Sequence, residues 1–421
     1  MNQKANQYTY SIVIIGTLFF IFGFVTWLNG TLIPFLKLAC NLETDAQALL
    51  VTFAFYMAYF FLAIPSSFIL NKTGFKKGMS LGLFVMAAGA LIFIPAAQNR
   101  SFGLFLTGLF VQGMGLALLQ TASNPYISII GPIESAAKRI SIMGICSKIA
   151  GALSPIILSA VVLNRATEIE SKIISATDST TRDTLLQELA SRIILPYEIM
   201  AGALFLLALM IYYSALPEID LNGSAGTAQN ASGNKTSILQ FPHLLLGVLC
   251  IFVYVGAEVM AGDVIGPYGR TLGLGLDETK IFTTYTLCSM LVGYVVGIFA
   301  IPKYIRQENA LKISALVGLL FSVLAFVTDG YVSIVFIALL GLANALMWPA
   351  IFPLAIDGLG KFTKIGSALL IMGVAGGAII PQVYGKLSLV IAPQAAFLVC
   401  MVPCYLYILY FSIKGYKVGK A

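Results

Sequence analysis

Residues 112–132 read QGMGLALLQTASNPYISIIGP, an apolar run that holds Gln120 and Asn124 one helical turn apart. At i, i+4 spacing the two amides share a face with Gly113 and Ala117, while Leu118, Leu119 and Ala122 point elsewhere. An amide without a partner is costly in hydrocarbon, so this face meets protein or a water-filled cavity and not lipid. Two roles suit it: hydrogen bonding to a polar ligand, or hydrogen bonding that glues one helix to the next. Both presuppose a membrane-crossing helix inside a bundle.

The rest of the chain has the same character. Of its 421 residues 59% are hydrophobic and only 10% charged, and the mean hydropathy is +0.92, well above that of water-soluble domains. Its apolar stretches come close to the roughly 20 residues that cross a bilayer as a helix, and they lack the short alternation of a membrane barrel. The chain therefore reads as an all-α membrane protein with twelve spans, at 10–34, 48–70, 78–97, 102–129, 140–163, 193–214, 243–262, 281–301, 311–328, 331–356, 365–387 and 393–413. The first of these is too long for a signal-peptide core and carries no small-residue cleavage site.

Where the charges sit explains the formal net charge of +7. With both termini in the cytoplasm, Lys72, Lys76, Lys77, Arg306, Lys312, Lys414 and Lys417 all fall on the inner side, as the positive-inside rule requires. The basic balance is thus a topology signal; the bilayer is the partner and nucleic acid is not. Six cysteines, mostly within apolar spans, have no metal-ligand spacing and define no disulfide framework. No metal or cofactor is expected.

Two segments interrupt the spans. Residues 165–192 form a mixed-charge, helix-friendly loop, and Leu221 to Ser237 (LNGSAGTAQNASGNKTS) is a flexible linker. That linker divides the chain into an N-terminal six-helix bundle (1–214), a cytoplasmic connection (215–241) and a C-terminal six-helix bundle (242–421). Triplets at Asn230 and Asn234 match the glycosylation pattern but would go unused on the cytoplasmic side. The halves echo each other: NKTGFKKG (71–78) answers PKYIRQENALK (302–312), and KIAGALSP, ending at Pro155, answers VAGGAIIP, ending at Pro381. Six-span repeats with Gly- and Pro-interrupted helices in matching places suit a transporter that rocks two bundles about a site near the midplane.

LFFIFGFVTWLNGTLIPFLK (18–37), ALLQTASNPYISIIGP (117–132), FVYVGAEV (252–259), PKYIRQ (302–307) and MWPAIFPLAIDGLGKFTKIGSALLIMGVAGGAIIPQVYGKL (347–387) together resemble the fucose and glucose/galactose transporters of the major facilitator superfamily. The resemblance covers nearly all twelve spans. It implies the fold of two pseudo-symmetric six-helix bundles, a location in the bacterial cytoplasmic membrane, a functional monomer, and import of a neutral sugar, a hexose such as glucose, galactose or fucose or an N-acetylhexosamine, with a cation by alternating access. It also implies a departure. The fucose–proton branch has Leu-Asn-Asp where this chain has Leu28-Asn29-Gly30, and a Glu where it has Gln120. Gln120 matches the glucose/galactose branch, some of whose members are sodium-coupled.

Two ionisable residues stay deep within spans: Lys148 on the fifth and Glu258 on the seventh. An intramembrane charge costs roughly 2.5 kcal/mol or more, so each needs a partner or a function. Sugars present hydroxyls together with C–H faces that lie against rings, and a site for them needs amides, a carboxylate and aromatic residues. The candidate substrate contacts are Asn29, Gln120, Asn124, Tyr254, Glu258, Asn344, Trp348 and Gln382, with Trp27 and Phe352 as further rings, and the candidate coupling pair is Glu258 with Lys148. Trp348 stands out among the rings because Pro349 disrupts its helix.

With Gly30 and Gln120 at the two places where the proton-coupled relatives have acids, the resemblance leaves Glu258 as the only carboxylate near the midplane. An opposed Lys148 would favour its ionised form and hinder proton carriage. The co-transported cation is therefore read as sodium ahead of a proton. Sugar uniport and drug–proton export are the alternatives within the superfamily. An enzyme is disfavoured, since His243 is the single histidine and no Ser-His arrangement, paired carboxylates or metal cluster occurs within the spans.

Overall fold

The computed structural model describes residues 2–129, 136–176, 178–216, 237–301, 304–359 and 362–420. Most of the linker with Asn230 and Asn234, and also Pro132, Pro302, Lys303 and Lys361, lie outside those residues. In chain order, α1 (Asn2–Trp27) and α2 (Asn29–Ala39) make the first crossing, and α3 (Asp45–Ala48) is a single turn. Then α4 (Leu50–Gln98) makes the second and third crossings, α5 (Phe102–Ile129) the fourth and α6 (Ala136–Val162) the fifth. Helices α7 (Ala166–Ser175) and α8 (Ser179–Ser191) occupy the mixed-charge segment, and α9 (Ile194–Tyr213) is the sixth crossing.

Beyond the linker, α10 (Pro242–Gly262) and α11 (Ile265–Thr271) form the seventh crossing, followed by the short α12 (Leu276–Thr279). The eighth and ninth are α13 (Phe282–Ala300) and α14 (Gln307–Val327). The tenth is split into α15 (Gly330–Asn344) and α16 (Met347–Ile356), the eleventh into α17 (Thr363–Met372) and α18 (Gly376–Leu387), and α19 (Pro393–Ile413) is the twelfth.

Among the described residues, 11 stretches are long and apolar enough to cross a membrane. One of them, Asp45–Gln98, has 54 residues, about 80 Å of helix at 1.5 Å per residue, far more than one bilayer. It is broken at Gly74, whose φ of 77° and ψ of 174° reverse the chain where a side chain would be strained. Twelve crossings result, and their limits follow the hydropathy of the sequence except at the seventh, where the chain continues past 262 into α11. The basic turn at this break is anchored by Lys76, whose Nζ donates to the Ser214 carbonyl at 2.9 Å, so a cation faces the C-terminal end of α9.

Lipid tails give no hydrophobic drive for helix association, and the seams accordingly depend on small residues. A Cβ on Gly82 would lie 2.8 Å from the Gly115 carbonyl oxygen, and one on Gly115 would lie 2.5 Å from that of Gly82, so α4 and α5 touch backbone to backbone. Phe93 stacks on Tyr197 with centroids 3.8 Å apart, tying α4 to α9. Helices α1, α4, α5, α6 and α9 pack on one another, as do α10 and α13 to α19; the two sets meet along α6 with α13 and along α4 with α17 and α18.

At the end of the bundle that carries α7 and α8, polar contacts join the two sets. The Thr167 amide donates to Asp277 Oδ2 at 3.1 Å while the Asp277 amide donates to Thr167 Oγ1 at 3.3 Å. Arg270 pairs with Glu170 at 2.5 Å, Lys280 Nζ reaches the Leu163 carbonyl at 3.1 Å, and Thr284 Oγ1 donates to the Ala152 carbonyl at 2.9 Å. The mixed-charge segment is thus helical and clasps the second set at this end.

Candidate functional site

Four crossings are discontinuous, and proline chemistry accounts for much of this. Pro349 cannot donate to the Ala345 carbonyl, and the chain leaves the helix at Ala345 and Leu346 between α15 and α16. Pro267 likewise cannot donate to the Asp263 carbonyl, and the seventh crossing breaks at Asp263 and Val264. The first crossing breaks at Leu28, ahead of Gly30 and Pro34, and the eleventh passes through a 3-10 turn at Gly373–Ala375. Broken helices are tolerated at membrane depth only where protein or a polar cavity satisfies the freed backbone, which makes these breaks the place to look for a site.

Lys148 and Glu258 meet there. Lys148 Nζ lies 2.7 Å from Glu258 Oε1, and the two side chains are only 10% and 12% exposed. They stand near the middle of α6 and of the α10–α11 crossing, so the pair bridges the two sets of helices close to mid-depth. The ammonium also lies 4.6 Å from the centre of the Trp27 ring, a cation–π contact. Trp27 is itself wedged between helices: a Cβ on Gly151 would come within 2.4 Å of the indole, and one on Gly262 within 2.2 Å.

Aromatic residues surround the ion pair. Tyr254, buried one turn before Glu258, has its ring 6.4 Å from that of Trp348. Trp348 in turn stacks with Phe352 at 5.8 Å and 25°, both half-buried. Tyr405 and Tyr294 lie within electrostatic reach of the Glu258 carboxylate, and the Tyr405 hydroxyl donates to Asn344 Oδ1 at 2.9 Å. Asn344 Nδ2 is buried without a hydrogen-bond partner. Tyr56 lies within electrostatic reach of both Glu258 and Asp263 and stacks at 6.3 Å on Tyr59, whose hydroxyl accepts from Gln120 Nε2 at 3.2 Å.

The structure therefore gathers Lys148, Glu258, Tyr254, Asn344 and Trp348 around one centre, with Gln120 linked to it through Tyr59 and Tyr56. Asn124 is half-buried one turn from Gln120. The other part of the amide-bearing face is a helix seam: a Cβ on Gly113 would meet the Phe55 carbonyl oxygen at 2.3 Å, and Ala117 is fully buried. Asn29 is fully buried at the head of α2, with neither amide atom hydrogen-bonded. Gln382 stands apart, its Nε2 donating to the Ala46 carbonyl at 3.3 Å beside α3, where it joins the two sets of helices away from the ion pair.

One expectation needs correction. Glu258 is not the sole buried carboxylate of the spans, because Asp263 is 0% exposed. Hydropathy places Asp263 in a loop, but the apolar chain resumes after it in α11, and the break that holds it lies inside the crossing. The signal was Pro267 four residues on, with Val264, Ile265 and Tyr268 still apolar. Tyr56 and Tyr59 were also missed, since a tyrosine in an apolar span has no periodic mark of its own.

Chemically, the centre offers a carboxylate to accept hydroxyl hydrogens, an ammonium to donate, and rings for C–H faces, with the charges of the central pair balanced. The Major Facilitator Superfamily profile matches residues 15–381. A glucose/galactose transporter of Brucella abortus biovar 1 (strain 9-941) is 32% identical over 418 residues, 99% of this chain and 96% of that protein. The L-fucose-proton symporter of Escherichia coli (strain K12) is 26% identical over 392 residues, 91% of this chain and 88% of that one. The crystal structure of the transporter FucP in the outward conformation superposes with a TM-score of 0.72 at 25% identity, covering 96% of this chain and 98% of that one.

Proposed function

The chain belongs to the Major Facilitator Superfamily, a family of multi-pass membrane transporters, and we propose that it imports a neutral hexose such as glucose, galactose or fucose by alternating access, in symport with a cation. The observation that carries this reading is the Lys148–Glu258 pair, 2.7 Å apart and bridging the two sets of helices at mid-depth among Trp27, Tyr254 and Asn344. A charge-balanced pair presents strong acceptors and donors to hydroxyls without selecting a charged ligand, and adjacent rings take the C–H face. The glucose/galactose and L-fucose transporters among its relatives support the same class of substrate.

The contacts between the two sets of helices support alternating access. The two bundles, 1–214 and 242–421, rock about the ion pair, and the clasp of α7 against α11 and α12 closes one end. With both termini in the cytoplasm, that end faces outward. We assign substrate contacts to Asn29, Gln120, Asn124, Tyr254, Glu258, Asn344 and Trp348, and closure of the outer end to Gln382. Uptake of labelled D-glucose, D-galactose and L-fucose into proteoliposomes, with sodium or proton gradients imposed separately, tests the proposal. Saturable uptake driven by one of the gradients is expected. Absence of both uptake and counterflow for all three sugars would refute it.

A further inference from the structure

Asp263 is the group that the central pair leaves out. Its carboxyl is completely buried, and neither oxygen makes a hydrogen bond. The Gly30 backbone amide approaches it without reaching hydrogen-bond geometry. The first and seventh crossings break side by side here. Thr283 Oγ1 donates to the Gly262 carbonyl at 2.8 Å, and a Cβ on Gly30 would fall 2.1 Å from Thr283 Oγ1. Trp27 lies against Gly262, with the Lys148 ammonium 4.6 Å from its ring centre.

The ionisable groups around Asp263 come from three elements: Glu258 on its own helix, Lys148 on α6 and Tyr56 on α4. The neighbours contributed by α2 and α13, Gly30 and Thr283, carry no charge. Lys148 is committed to Glu258 at 2.7 Å. Counting these groups, one lysine faces two carboxylates, and the site lacks one positive charge whenever both acids are ionised. A dry seam cannot close over an unbalanced charge without a large desolvation penalty.

Pro267 cannot donate to the Asp263 carbonyl, and Pro34 cannot donate to the Gly30 carbonyl, so each crossing has a backbone oxygen without its usual donor four residues on. The position with no room for a side chain at Gly30 thus faces a carboxyl supplied by the opposite crossing.

We propose that Asp263 is the site of the coupling cation, accepting one monovalent positive charge, a proton or a sodium ion, when the α7 end is open, so that the break between the first and seventh crossings can close over a neutral site. In the proton case a carboxylate oxygen takes a proton from hydronium and later returns it to water. In the sodium case the ion exchanges water ligands for the carboxylate and backbone oxygens. Either way the site changes from one net negative charge to none. The proposal rests on the symport reading above, and sugar counterflow separates the two, because exchange of sugar for sugar needs the sugar site but no net movement of the cation.

The test compares wild type with Asp263→Asn in proteoliposomes, using labelled D-galactose and D-glucose. Asp263→Asn imitates the neutral carboxyl. It should retain counterflow within about threefold of wild type while losing concentrative uptake at least tenfold under any imposed gradient. A second measurement uses the wild-type protein alone: dicyclohexylcarbodiimide, which attacks protonated carboxyls, followed by mass spectrometry of the modified residue. Modification of Asp263 that falls as pH rises, regardless of sodium, supports the site and assigns the proton. Modification suppressed by sodium chloride but not by potassium chloride supports the site and assigns sodium. Gradient-driven accumulation by Asp263→Asn at the wild-type level would overturn the proposal, as would an unreactive Asp263 under all these conditions. Wild-type protein without counterflow would instead overturn the sugar-transport reading.

Discussion

Separating Lys148 from Glu258 is the perturbation with the clearest magnitude. The charged atoms lie 2.7 Å apart and both side chains are almost entirely shielded from solvent. At an effective dielectric of about 20, that distance corresponds to roughly 6 kcal/mol of attraction, opposed by the cost of taking both ions out of water. Removing one partner leaves the other buried and unpaired, so Glu258→Gln or Lys148→Met alone should each cost about 3–5 kcal/mol. The double variant Lys148→Met/Glu258→Gln strands neither member of the pair and should return to within about 1–2 kcal/mol of wild type, giving a coupling of several kcal/mol between the two sites. Thermal midpoints of the purified protein in one detergent measure this. Both single variants should melt several degrees lower, and the double variant should recover most of the loss. Transport should not recover, because each of the three variants lacks the carboxylate, the ammonium or both. Single variants within about 1 kcal/mol of wild type, or a double variant as unstable as the two singles combined, would show that the pair is not a desolvated unit and would refute the reasoning.

Three further outcomes are expected. Gln120→Ala and Asn124→Ala each remove an amide from a semi-polar setting, and a lost hydrogen bond of about 1–3 kcal/mol predicts a roughly 5- to 150-fold loss in kcat/KM for sugar uptake, with normal amounts of inserted protein; unchanged uptake in both would remove them from the site. Neutralising Lys76 and Lys77 together breaks the contact to the Ser214 carbonyl and should slow turnover while sugar affinity changes by less than about threefold, since the basic turn lies at the membrane surface; a tenfold change in affinity would contradict that placement. Glu170→Gln removes the partner of Arg270 in the α7 clasp, where both side chains are partly exposed, so the loss is at most about 1 kcal/mol. A cysteine placed at buried Thr284, which now bonds the Ala152 carbonyl, should then react up to about fivefold faster with a water-soluble maleimide; an unaltered rate would show that the clasp does not hold this end shut.

How much of this was legible beforehand depends on the range of the physics involved. A bilayer imposes its demand locally, since each crossing must be about 20 apolar residues with its backbone bonds satisfied within the helix. The twelve spans could therefore be counted from the chain alone, and so could the need for partners at Lys148 and Glu258 and the disruption at Pro349. Pairings between distant residues depend on how helices are rotated and staggered against one another, and no local pattern encodes that. The sequence raised Lys148 opposite Glu258 only as a conditional; the tertiary structure brought residues 110 positions apart to 2.7 Å. It carried Gln382 away from the centre to Ala46, and divided the amide-bearing face of α5 between a seam with α4 and a contact to Tyr59. Asp263 shows the division most plainly: as a residue in sequence it is an acid at the end of an apolar run, and only the return of α11 into the bundle, with Gly30 and Thr283 packed alongside, makes it a fully buried carboxyl whose oxygens have no hydrogen-bond partner.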